Sequence, residues 1–123
     1  MPPMQAAQQE KDAYAFNSKV LDKAALYVAG DRKTAATVMR KFTENYTHDP
    51  RATELLFGKI ADLNKAHMEG NLGRREFVRE MGETVDEAFL GRPETSRKEI
   101  SRLFLDLYLS LVIKGASQKM RLD

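Results

Sequence analysis

Apolar residues recur along this chain at three- and four-residue intervals, and four polar or glycine-bearing breaks divide the pattern: "AGD" at 29–31, "THDP" at 47–50, "EGNLG" at 69–73 and "GRPETS" at 91–96. Five helix-length pieces result. In the first, Ala13, Phe16, Val20, Ala24 and Tyr27 share a face, with Gly30 as the stop. In the second, Asp31 is placed to cap a helix whose stripe is Ala35, Val38, Met39, Phe42 and Tyr46. The third opens on Asp49 as cap with Pro50 at the first helical position, and its stripe is Ala52, Leu55, Leu56, Ile60, Leu63 and His67. The fourth carries Phe77, Val78, Met81, Val85, Ala88 and Phe89, with Gly91 as its stop.

The fifth piece contains "LFLDLYLSLVIKG", in which leucine takes every second position from Leu103 to Leu111. Alternation of this kind suggests a strand, yet Phe104 and Tyr108 occupy the positions that a strand would turn to water. The helical template accounts for more of it, through Ile100, Leu103, Phe104, Leu107, Tyr108, Leu111 and Val112. Ser96 and Glu99 ahead of it have the spacing of a capping box. A helix is therefore predicted over 96–114. A membrane span is not: about 14 residues at roughly 1.5 Å each cover about 21 Å of a bilayer core near 30 Å, and Asp106 lies in the middle.

The predicted fold class is all-α, a compact bundle of about five helices with the hydrophobic helix 96–114 at its centre. Residues 1–12 are expected as a flexible arm, 13–117 as a single all-α domain and 118–123 as a flexible basic tail. Gly58 and Gly82 fall inside predicted helices, at a cost near 1 kcal/mol each relative to alanine. Close approach of a neighbouring helix is the expected reason for them, with a locally weak turn as the alternative.

Ten of the fourteen residues from Ile100 to Ile113 are apolar, more than one helix face can hold. Leu105, Leu109 and Ile113 extend the stripe around the far side. Leaving them in water forgoes roughly 1.5–3 kcal/mol each, so a cover is expected, from this chain or a second one. These three are the predicted protein interface, with a protein partner or homodimer as the occupant.

Composition narrows the chemistry. The chain has 123 residues, 42% hydrophobic and 31% charged, with no cysteine, which removes disulfides, thiolate metal sites and cysteine nucleophiles. "MPPMQAAQQEKDAY" lacks a basic segment followed by an apolar run, and a cytoplasmic location is expected. "NYT" at 45–47 matches a glycosylation acceptor that such a location leaves unused. His48 with Glu44, or His67 with Glu69, falls short of the three or four ligands that zinc takes, so no metal is predicted. There is no Gly-x-Ser-x-Gly turn, phosphate-binding loop or dinucleotide fingerprint, and neither enzyme activity nor a cofactor is expected.

Net charge is only +2, from 20 basic and 18 acidic side chains, but its distribution is uneven. Residues 71–91 hold three basic and five acidic side chains, and 92–123 hold seven and four. Glu80, Glu83, Asp86 and Glu87 precede the last turn, and Arg97 and Lys98 follow it, both at helix ends where the macrodipole disfavours them. Ion pairing across the turn is expected to offset that. Arg32, Lys33, Arg40 and Lys41 on the second helix, and Arg74 and Arg75 after "GNLG", are candidate contacts for nucleic acid or another anion. The expected function is that of a small non-enzymatic interaction protein, an adaptor, chaperone or regulator; the alternative is a nucleic-acid-binding regulator.

Overall fold

Five helices follow one another in the computed structural model, which describes residues 15–122 and their side chains as far as residue 115. Helix α1 is α-helical over Ser18–Ala24 and continues as a π-helical turn, Ala25–Ala29; α2 is α-helical over Arg32–Phe42 and ends in a second π-helical turn, Thr43–Thr47. Helices α3, α4 and α5 span Pro50–Met68, Arg74–Ala88 and Glu94–Leu122. No strand occurs among the described residues. The expected arm, 1–12, lies outside them.

Local chemistry sets most of the helix starts. Asp31 accepts from the Thr34 amide through Oδ1 and from the Thr34 hydroxyl through Oδ2, both at 2.8 Å. These donors hold its carboxyl below the usual carboxylate range. Asp49 accepts from the Arg51 amide at 3.0 Å, with Pro50 at the first helical position. Asn17 caps α1 through the Lys19 amide at 2.9 Å. Both π turns end on a left-handed residue, Gly30 at φ 90° and His48 at φ 57°.

The start of α5 differs from the expected capping box. The helix begins at Glu94, directly after Pro93, so Ser96 lies inside the first turn and cannot be its cap. Proline fixes its own φ near helical values, and Glu94 places a negative charge where the macrodipole favours it. At the other end α5 runs on through Gly115 to Leu122, across the stretch expected as a tail. One glycine costs only about 1 kcal/mol, and the residues after it are good helix formers without proline.

Helix α3 is the spine. It packs against α1, α2 and α4, and it buries Leu56, Phe57, Ile60 and Ala61 together with the polar Thr53, Glu54 and Asn64. That face is rotated from the predicted stripe, and Ala52 and Leu55 are exposed. Each polar member makes at least one hydrogen bond, which permits its burial. Thr53 Oγ1 is 2.7 Å from both Thr43 Oγ1 and Thr47 Oγ1. Glu54 accepts from the Asn17 amide at 2.8 Å and from Arg51 at 2.6 Å, and Asn64 donates to the Tyr27 carbonyl in the first π turn at 2.6 Å.

Helix α5 reaches the centre through one face. Ile100, Phe104 and Tyr108 are buried, and the Phe104 ring lies 5.3 Å from Phe42 and 5.2 Å from Phe57. Below this aromatic group His67 stacks on Phe77 at 4.4 Å, and Tyr108 closes the cluster at 4.9 Å from Phe77. His67 is thus a half-buried core residue whose Nδ1 lies 2.7 Å from the Leu72 carbonyl.

The glycine expectation needs correcting. A Cβ added at Gly58 or Gly82 meets no atom within 4 Å, so neither glycine is there to let a neighbouring helix of this bundle approach. Gly58→Ala is accordingly expected to stabilise the fold by about 0.5–1 kcal/mol, since alanine gains helix propensity without a clash. Urea unfolding measures this; a loss of stability would show that the space beside Gly58 is occupied.

Candidate interaction surface

The turn between α4 and α5 is fixed before any surface can form on the two helices. Arg97 pairs with Asp86 at 3.0 Å and donates through Nε to the Arg92 carbonyl at 3.2 Å. Arg92 donates to the Tyr46 carbonyl and lies over the Phe89 ring, 5.4 Å from its centroid. The ion pairing predicted across the turn therefore holds for Arg97 and Asp86. Lys98 instead pairs along its own helix with Glu94 at 3.3 Å, and Glu83 lies 3.9 Å from Arg79.

So clamped, α4 and α5 enclose a groove of about 500 Å³. Val78 and Gly82 form its α4 wall, and Leu105 and Leu109 its α5 wall, with Asp86, Glu94, Lys98, Arg102 and Asp106 around the rim. Of the three predicted interface residues, Leu105 is half-buried and packed against the core, whereas Leu109 is 55% and Ile113 64% exposed. Val112, 40% exposed, joins them. Leu111 is half-buried beside Gly30 at the end of the first π turn, whereas Leu109, Val112 and Ile113 on the outward side of this end of α5 are left uncovered by the chain's own helices.

A second groove lies between α3 and α4, and the sequence reading did not anticipate it. Its apolar end, about 460 Å³, is lined by Ala52, Leu55, Leu56, Ala88 and Leu90, and it continues past Lys59 and Leu63 between Asp62, Glu80, Glu83 and Glu87. Leu55 belongs to the predicted core stripe and Leu90 to the end of the fourth predicted piece; the rotation of α3 turns Leu55 outward, and α4 stops at Ala88, which leaves Leu90 in the exposed turn beyond it. Two of these acids are already paired, Asp62 with Lys23 at 2.9 Å and Glu83 with Arg79 at 3.9 Å, as is Asp86 beside them with Arg97.

The basic candidates do not form one patch. Arg32 bonds Asp22 and the Ser18 hydroxyl, while Lys33, Arg40 and Lys41 are exposed along α2. Arg74 and Arg75 are exposed at the start of α4, a helix that does not pack side by side with α2. His48 is exposed in the turn before α3. Among the described residues no three of His, Asp and Glu gather as a metal site. Burial raises the pKa of the Tyr108 phenol, which keeps it protonated at neutral pH. No helix of the described residues is long and apolar enough to cross a membrane.

Chemically, the α4–α5 surface offers leucine and valine side chains between charges of both signs, on helices held rigidly by their turn. Such a surface suits a helix laid along it. Compared with protein-family models, curated proteins and solved structures, the chain matches none.

Proposed function

We propose that this protein is a small non-enzymatic interaction protein, an adaptor, chaperone or regulator, that self-associates through the outward face of α5. The observation that carries the reading is the run of exposed apolar side chains, Leu109, Val112 and Ile113, continuous with half-buried Leu105. Exposed leucines are ordinary when scattered singly, but aligned along a helix and edged by charge they mark docking surfaces. Burying the remaining surface of such residues on two symmetric copies contributes several kcal/mol, at about 25 cal/mol per Å².

Leu109→Glu tests this. The position is more than half exposed, so the variant is expected to keep its far-ultraviolet dichroism and the thermal midpoint that wild type shows when diluted to monomer. Two buried carboxylates per dimer would replace two leucines, and association is expected to weaken about 100-fold or more. Sedimentation velocity over a concentration series gives the comparison. A wild-type chain that stays monomeric throughout, or a variant that associates like wild type, would overturn the reading.

A further inference from the structure

Resting on that self-association, the geometry points to its form: α5 of a second copy lies antiparallel in the α4–α5 groove, with its leucines seated over Gly82. Gly82 is the unexplained feature of this groove. It sits in the interior of α4, where glycine weakens a helix, and a Cβ there would meet nothing within 4 Å. Open space at an interior glycine that lines a groove is a hole of the kind a side-chain knob from another helix fills.

Charge selects the second copy and its direction. Arg102 and Asp106 stand one turn apart on the rim, on the same flank of Leu105, and neither has an ion-pair partner among the described residues. Their order along the helix, base before acid, is also the poorer one for pairing within it. A two-fold axis perpendicular to α5 brings Arg102 of each copy opposite Asp106 of the other. A parallel pairing would set Arg102 against Arg102 and Asp106 against Asp106. The surface is thus self-complementary in the antiparallel sense only.

The same axis fixes what meets Gly82. The Asp86–Arg97 pair and the Phe77–Tyr108 contact set the levels of α4 against α5, and they place Gly82 beside residues 101–103 of α5. With Arg102 opposite Asp106, Leu105 and Leu109 of the second copy straddle that level. Each α5 then lies in the other copy's groove, and the α4–α5 hairpins of the two copies close a four-helix layer.

Two sets of variants test this by sedimentation equilibrium, with urea unfolding alongside. Gly82→Gln is expected to make the monomer more stable, because glutamine is the better helix former, yet to weaken the dimer about tenfold or more by filling the hole. A purely structural role for Gly82 could not give that combination. Arg102→Asp and Asp106→Arg are each expected to weaken the dimer about tenfold, and the double variant to restore it towards wild type. Two single variants that leave the dimer unchanged would overturn the antiparallel arrangement, and a Gly82→Gln dimer as tight as wild type would overturn the seat. If Leu109→Glu still abolishes association in either case, self-association through α5 stands and only this form of it fails. A monomeric wild-type chain removes both.

Discussion

Phe104→Ala is expected to destabilise the fold by about 3–5 kcal/mol, the cost of truncating a fully buried phenylalanine that its neighbours cannot collapse onto. Phe104 has no exposed surface, and its ring contacts Phe42 of α2 at 5.3 Å with a 44° tilt and Phe57 of α3 edge-on at 5.2 Å. Phe42 and Phe57 in turn meet edge-on at 5.3 Å. The three rings therefore form a closed triangle that joins three helices, and removing one leaves two others without a partner on one side. Against a net stability of about 5–15 kcal/mol for a domain, the loss is large enough to bring part of the population to the unfolded state. Urea unfolding should show a lowered midpoint at an unchanged slope. The measurement belongs in the Leu109→Glu background, where association cannot add concentration-dependent stability. A loss below about 1 kcal/mol would mean that α5 does not enter the core.

Phe104 was legible from the chain because its signal is local: it lies on a seven-residue helical stripe. The Asp31 and Asp49 caps and Pro50 were legible for the same reason, since each acts within three residues of itself. Helix α3 was not. Its buried face runs through Thr53, Glu54 and Asn64, which are apolar by environment rather than by type. Glu54 and the Asn64 side-chain nitrogen bond backbone groups 37 residues away, the Asn17 amide and the Tyr27 carbonyl. A periodicity that counts only apolar residues skips those positions, passes over Phe57 and selects Leu55 instead. Partners so distant in sequence leave no local mark.

The surface divides in the same way. Excess leucine on α5 was visible as composition, and Leu109 and Ile113 are indeed outside, but which side of the helix stays open depends on where α4 lies. Gly82 looked like a packing residue, and its open face emerges only once its neighbours are in place. The two π turns had no signal at all. They depend on the left-handed residues that end them, Gly30 and His48, and in the first case on a side chain from α3.

That side chain carries the second large effect. Asn64 is wholly buried, its Nδ2 donates to the Tyr27 carbonyl at 2.6 Å, and its Oδ1 has no hydrogen-bond partner. Asn64→Asp keeps the shape but replaces the donor with a carboxyl that burial prevents from ionising, so its folded-state pKa lies above its unfolded value near 3.9. Below that pH the carboxyl is protonated in both states and can donate its O–H to Tyr27, so the variant should approach wild-type stability. As pH rises, only the unfolded state ionises freely, and stability falls by about 1.4 kcal/mol per pH unit until the folded-state pKa is reached. Near neutrality the loss is expected to total about 3–5 kcal/mol. Asn64→Leu should instead cost about 1–3 kcal/mol at every pH, because it strands the Tyr27 carbonyl without adding a charge. Urea unfolding of both variants at acidic and neutral pH separates the two terms. A pH-independent loss for Asn64→Asp would mean that water reaches position 64, and that the link between α3 and the first π turn is not dry.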